Sequence, residues 1–320
     1  MENSYIAMNY KCNHNCMCCP LSTFDKLHKG LDYKKLKQQI LELKEKNGEN
    51  IHFTISGGEP TIDKNFLDLM KILGEFNPHI TILSNASSCK DKEFVKRMID
   101  SLGENYDLKK LDYVTAIHSS NPKIHDSITG VEGSFKETMN GLENLSEFYI
   151  NTTIKHIMNK KSFKTMKETL EYLSKFFSNF VDFQFCSMDY VGKALKNQED
   201  LFVTFRELQP YFEETLDAFE KEKNNCGRRL TIYETPLCAV DPYYWKYYIS
   251  HNKTLSTYIA PNDESLYNKS ENVISECNTN YKECKNCDVK EYCSGLWQSS
   301  YEIGKKEKDF LNPIKVLKNK

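Results

Sequence analysis

The chain reads as an α/β protein built on a parallel sheet. Six short apolar runs of strand length alternate with amphipathic segments of helical period between Ser4 and Cys186. Every connection is long enough for a crossover, which parallel strands need and hairpins do not. Turns rich in cysteine, glycine and hydroxyl residues follow several of the runs, at the strand ends where parallel α/β sheets collect their chemistry. Right-handed crossovers would curl such a sheet into an open or a closed barrel, and the residue pattern leaves both open.

The first strand covers residues 4–9 and leads into a cysteine loop. Residues 31–46 place Leu36, Ile40 and Leu43 at helical spacing among lysines and glutamates. Strand 51–56 follows and ends in Gly57-Gly58-Glu59-Pro60. Helix 65–73 carries Phe66, Leu69, Met70 and Leu73 on one face. Strands 79–84, 113–118, 151–158 and 181–186 then alternate with helices 92–102, 134–148 and 163–177. Residues 202–220, with Phe205, Leu208, Phe212, Leu216 and Phe219 on one face, form the helix that closes the sheet. A short strand, 229–233, opens the second half.

Composition sets limits. Of 320 residues, 39% are hydrophobic and 28% charged, the balance of a globular protein of one large or two modest domains. No apolar stretch reaches the roughly 18 residues of a membrane span, and no basic-then-apolar leader opens the chain, so a cytoplasmic protein is expected. A net charge of -2 gives no overall attraction to nucleic acid. Twelve cysteines in a reducing compartment point to metal binding or catalysis instead of disulfides, and most cluster toward the two ends of the chain.

The first cluster is YKCNHNCMCCP, residues 10–20, in which Cys12, Cys16 and Cys19 have the spacing C-x3-C-x2-C. Thiolates favour soft metals and iron-sulfur clusters. His14 or Cys18 could complete a zinc site, so this loop alone leaves zinc open. The Gly57-Gly58-Glu59-Pro60 turn falls at the same predicted mouth of the sheet. Paired glycines allow close backbone approach, and a carboxylate can receive a protonated amine. Together the two strings resemble the signature of the radical S-adenosylmethionine (SAM) enzymes. The resemblance implies a partial (β/α)6 barrel and a [4Fe-4S] cluster on Cys12, Cys16 and Cys19 that leaves one iron for SAM. It also implies that Gly57, Gly58, Glu59 and Pro60 hold the methionyl amine. Where relatives carry an aromatic residue before the third cysteine, this chain has Cys18, read as a small apolar filler or as a competing ligand.

Weaker matches extend the resemblance. Ser84 and Asn85 end the third strand, and His118 and Ser119 end the fourth, where relatives place polar contacts to SAM. Val191-Gly192-Lys193-Ala194 resembles the family's Gly-Arg-Ala turn, with Lys193 keeping the charge and losing the planar fork. Residues 125–135 resemble a stretch of relatives with a cysteine-rich extension, with Ser134 as a helix N-cap. Lys155 and His156 fall on opposite faces of the fifth strand, as an exposed lysine and a core histidine or as site residues.

Residues 1–225 are thus expected to form the barrel and residues 226–320 a small SPASM/twitch-like domain. CKNCDVKEYCSG has the spacing C-x2-C-x5-C and resembles the ligand run of SPASM and twitch domains, which bind auxiliary [4Fe-4S] clusters. A full SPASM pattern carries a further cysteine where this chain has Trp297, so the resemblance implies one auxiliary cluster. Its ligands would be Cys238, Cys284, Cys287 and Cys293, with Cys277 as the alternative fourth. Zinc is the competing metal. Cys89, Cys186 and Cys226 read as packing residues, and Cys186 is also a candidate hydrogen-atom donor. No general base stands out.

The activity implied is reductive cleavage of SAM to a 5′-deoxyadenosyl radical that takes a hydrogen atom from the substrate, fed by a flavodoxin- or ferredoxin-type electron donor. Relatives with cysteine-rich extensions often modify ribosomally made peptides. The expected substrate is therefore a peptide, receiving a thioether, a carbon-carbon crosslink or an epimerised residue. With no recognition domain ahead of the first strand, a separate peptide-recognition protein is expected as a partner. The alternatives are a small metabolite or cofactor precursor as substrate and, from another class, a non-catalytic zinc-binding scaffold.

Overall fold

A computed structural model describes residues 2–21, 32–48, 51–177, 181–223, 228–249, 255–259, 277–308 and 310–315. Alternation builds its strands. β2 (Ile51–Ser56) buries Ile51, Phe53 and Ile55 and leaves His52 and Thr54 half-exposed. The same period runs through β3 (His79–Leu83), β4 (Leu111–Ala116), β5 (Asn151–Ile157), β6 (Val181–Cys186) and β7 (Leu230–Tyr233). With β1 (Glu2–Ala7) and β8 (Leu255–Ile259) they form one parallel sheet of eight strands in the order β7-β6-β5-β4-β3-β2-β1-β8.

From β1 to β7 the order is that of the chain, without the reversal of a doubly wound sheet. Right-handed crossovers then place the helices on one face, and the twisted sheet curls away from them as an open barrel. The buried face packs on α1 (Tyr33–Asn47), α2 (Phe66–Gly74) and α3 (Lys92–Leu102) in one core cluster. A second cluster joins it to α5 (Ser134–Glu147), α6 (Met166–Phe176) and α9 (Phe205–Lys223). The opposite face, the lumen, carries Thr54, Thr81, Asp112, Lys155, Gln184 and Tyr233, all half-exposed.

Three features differ from the sequence expectation. The short strand assigned to the second half is β7, which continues the main sheet on β6, because Leu230 and Ile232 extend the buried face. With β8 on the other edge, the sheet has eight strands where six were expected. Lastly, Gly133, not Ser134, occupies the N-cap of α5, and the cap is supplied from a distance. Asp126, on α4 (Pro122–Thr129), accepts hydrogen bonds from the N–H of Gly133 (2.7 Å) and Phe135 (2.8 Å) and the hydroxyl of Ser134 (2.9 Å).

Beyond β6 come two short helices, α7 (Lys193–Lys196) and α8 (Gln198–Leu201). Toward the C-terminus, β9 (Cys277–Asn278) pairs antiparallel with β10 (Leu296–Trp297), ahead of a short helix, Gln298–Gly304. Ser294 Oγ donates to the Thr235 carbonyl (2.9 Å) and Tyr190 N–H to Ser299 Oγ (2.9 Å), which fastens this block to the carboxyl ends of β6 and β7. Among the described residues no helix is long and apolar enough to cross a membrane. Residues 224–227, with Cys226 and the expected domain boundary, lie outside the described residues.

Candidate functional site

The cysteine loop leaves β1 at the carboxyl end of the sheet and is held by its backbone on three sides. Gly58 N–H donates to the Asn9 carbonyl and Glu59 N–H to that of Lys11, both at 2.7 Å. Asn15 and Met17 donate to Thr129 (2.9 Å) and Ile128 (2.8 Å) at the end of α4, and Lys193 N–H donates to Cys19 O (3.0 Å). The glycine pair is obligatory here. A Cβ on Gly57 would lie 2.1 Å from Asn9 O, and one on Gly58 2.1 Å from Lys11 O. What these glycines admit is the backbone of the cysteine loop itself.

The clamp displays Cys12 as exposed and Cys16 and Cys19 as half-buried, while Cys18 turns inward. Cys18 is 6% exposed and packs with Ile128, Met188, Tyr190, Ala194 and Leu201, the role of a small apolar filler. Burial pushes the Cys18 thiol up to about 12.

Glu59 lies beneath the loop with 1% of its surface exposed. Its carboxylate accepts from Thr61 N–H (3.0 Å), Thr61 Oγ1 (2.5 Å), Ser84 Oγ (2.7 Å) and Asn85 N–H (2.7 Å), joining the ends of β2 and β3. Burial raises its pKa, against those four donors. Ser84 also accepts from Tyr113 O–H (2.6 Å), so its hydroxyl faces this network and not the mouth. Asn85 is half-buried and faces the cysteine loop, with Nδ2 2.8 Å from Asn13 Oδ1.

His118 and Ser119 are buried under the end of β4. His118 N–H donates to His125 Nδ1 (3.2 Å), and Ser119 Oγ pairs with Thr165 Oγ1 (3.0 Å). Lys193 Nζ reaches Asn15 Oδ1 and so closes on the cysteine loop. His156 is a satisfied core histidine, its ring nitrogens at Ile117 O (3.1 Å) and Ser162 Oγ (3.2 Å). Lys155, on the lumen face, stands 6.0 Å from the ring centre of Tyr233. Cys186 ends β6 at 2% exposure, and Cys89 is fully buried against Tyr113 O–H (3.3 Å).

Two residues here escaped sequence reasoning. Asn13 matters only because folding brings Asn85 and Ser87 to it. Glu234 follows β7 with φ +51°, a left-handed conformation unusual for a non-glycine residue. Burial raises its carboxyl to about 7, and the charge of Lys155 works the other way. A lone glutamate before Thr-Pro-Leu-Cys carries no such signal in a sequence.

The second cysteine set surrounds a small cavity of about 30 Å³ lined by Cys238, Cys284, Cys287 and Cys293 with Pro236, Tyr281 and Leu311. Cys277 lies outside it, on an adjoining cleft, and its thiol donates to the Ser294 carbonyl (3.3 Å). Cys293 Sγ accepts from the N–H of Leu237 (3.4 Å) and Gly295 (3.3 Å). Among the described residues no three His, Cys, Asp or Glu side chains converge closely enough to hold a single metal ion.

Residues 6–182 match the family profile of the radical SAM superfamily. The chain belongs to that superfamily. It is 23% identical over 198 residues to the sporulation killing factor maturation protein SkfB of Bacillus subtilis (strain 168), covering 62% of this chain and 45% of that protein. Among solved structures, Streptococcus suis SuiB bound to precursor peptide SuiA superposes with a TM-score of 0.57 at 18% identity, over 72% of this chain and 48% of that one. Native anSMEcpe with bound AdoMet gives a TM-score of 0.57 at 16% identity, over 72% and 63%. These structures share the radical SAM fold. The chain spans about half the length of the curated relative it matches. Membership implies a [4Fe-4S] cluster and SAM as cofactors.

Proposed function

We propose that this chain is a radical SAM enzyme that cleaves SAM reductively and abstracts a hydrogen atom from a peptide substrate in the course of peptide maturation. The observation that carries the reading is the clamped loop, which presents Cys12, Cys16 and Cys19 at the mouth of an open barrel while Cys18 is packed away. Three presented thiols suit a cluster with one iron left for a small molecule. The bound cluster and SAM would supply the electron transfer and the radical. The chain's own part is to fix the loop through Gly57, Gly58 and Glu59 and to place Asn85 and Lys193 against it. It also walls the reaction with the polar lumen. A flavodoxin- or ferredoxin-type protein would deliver the electron.

Cys238, Cys284, Cys287 and Cys293 are proposed to hold one auxiliary [4Fe-4S] cluster. The four thiols line one small cavity together, and iron and acid-labile sulfide analysis separates a cluster there from a four-thiolate zinc site. Four protein ligands leave no open iron, so electron transfer suits this site better than substrate ligation. The peptide substrate rests on the relatives, one described as a maturation protein and one bound to its precursor peptide. A separate peptide-recognition protein would present the substrate, and turnover stimulated by the peptide alone would dispense with that partner. Cys186, at the end of β6 on the lumen side, is kept as a hydrogen-donor candidate. Cys186→Ala should spare SAM cleavage and block product.

Anaerobic reconstitution tests the whole reading. Iron and acid-labile sulfide should account for two clusters, and dithionite with SAM should yield 5′-deoxyadenosine, stimulated by a peptide encoded beside the gene. A zinc-loaded protein that makes no 5′-deoxyadenosine would reduce the chain to a metal-binding scaffold. Turnover stimulated only by a small metabolite would replace the peptide.

A further inference from the structure

Two N–H groups converge on Cys12 Sγ. The backbone N–H of His14 lies 3.3 Å away and the side-chain Nδ2 of Asn85 3.9 Å away. The orientation of the Asn85 amide is fixed by its surroundings. Its Oδ1 accepts from Ser87 N–H (3.0 Å), one Nδ2 hydrogen goes to Asn13 Oδ1 (2.8 Å), and Asn13 Nδ2 in turn donates to Ser87 Oγ (2.7 Å). Flipping the amide would set oxygen against oxygen at Asn13 and N–H against N–H at Ser87. A primary amide has two hydrogens, so the second is left to face Cys12. The backbone of Asn85 is anchored as firmly. Its N–H donates to Glu59 (2.7 Å), and its carbonyl accepts from Thr138 Oγ1 (3.0 Å).

We propose that Asn85 is a positioning residue for the N-terminal cluster, aiming an N–H at Cys12 Sγ and thereby holding the cluster's reduction potential up. This role rests on the radical SAM reading and differs from the contact to SAM that the motif implies for Asn85. A neutral thiol is a weak acceptor, whereas the thiolate left when iron displaces its proton is a strong one, so the contact tightens on loading. Hydrogen bonds to cluster sulfurs favour the reduced, more negative state and raise the potential.

The test is an EPR-monitored redox titration of the anaerobically reconstituted full chain without SAM. The N-terminal signal is identified afterwards as the one that added SAM perturbs. Asn85→Ala should lower the reduction equilibrium constant by up to about tenfold, about 59 mV for a one-electron couple, with iron and sulfide content unchanged. Asn85→Asp, which keeps the shape and turns an oxygen toward the sulfur, should lower it further. If Asn85→Ala fails to hold the cluster, the Asp variant alone decides. Unmoved SAM-free midpoints with weakened SAM affinity would overturn the proposal and leave Asn85 a SAM contact. A wild-type protein with no SAM-perturbed cluster would overturn the radical SAM reading and this proposal with it.

Discussion

Glu59 and Gly58 show how much a single residue can hold at this site. A buried carboxylate with four donors leaves those donors without a partner when it is removed, and each hydrogen bond to a charged group contributes roughly 1.5–3 kcal/mol. Glu59→Ala should therefore lower the melting temperature and release the N-terminal cluster. Gly58→Ala drives a Cβ to 2.1 Å from Lys11 O, which the backbone must yield to. Its expected outcome is loss of the N-terminal cluster with the C-terminal one retained, read as iron content falling by about half under equal occupancy of two four-iron sites. Full iron content in Gly58→Ala would mean that the loop tolerates separation from the turn. The cysteines and glycines were legible because each set is a contiguous string whose spacing is its signal. Asn13 was not, since its partner Asn85 is 72 residues away and neither asparagine has meaning without the other.

At the scale of the element, strands were legible where both faces wrote a pattern. β2, α3 and β6 fall at the residues the sequence predicts, because apolar positions alternate or recur at helical spacing to their ends. β7 was placed in the wrong half because four residues are too few to show which sheet they join. Its side chains supply a test. Ile232 is fully buried in the cluster shared with α9, so Ile232→Ala should cost about 2–5 kcal/mol and destabilise the barrel itself in chemical denaturation. A second test concerns the C-terminal block, whose spacing left the fourth ligand open. The cavity includes Cys238 and omits Cys277. Cys238→Ser should remove the auxiliary iron, and Cys277→Ser should leave it in place. The reverse result would move the cluster to the adjoining cleft.

Across the whole molecule, the fold divides its ionisable groups between a dry helical side and a polar lumen, and acid acts on the two with opposite signs. His125 and His156 are buried on the helical side, where desolvation lowers both to about 4. Their native forms are neutral, so as pH falls through about 6.5 the unfolded chain takes up protons first. Stability is lost from that pH down to the folded value. Glu234 lies at the lumen end, and burial lifts it to about 7. Its native form holds a proton that the unfolded chain releases near the ordinary carboxylate range. Its contribution therefore falls as pH rises from about 4.3 toward 7, discounted because the residue is only partly buried. A variant isolates the histidine contribution. The ring of His156 meets Ile117 O and Ser162 Oγ, and a glutamine amide offers the same donor and acceptor without a titratable group. His156→Gln should be less stable than wild type near pH 7.5, through imperfect packing. The gap should narrow by roughly 2 kcal/mol by pH 5, because only the wild type carries the proton penalty. Denaturant titrations at the two pH values measure it directly, and a gap that stays constant would show that His156 accepts its proton within the folded core.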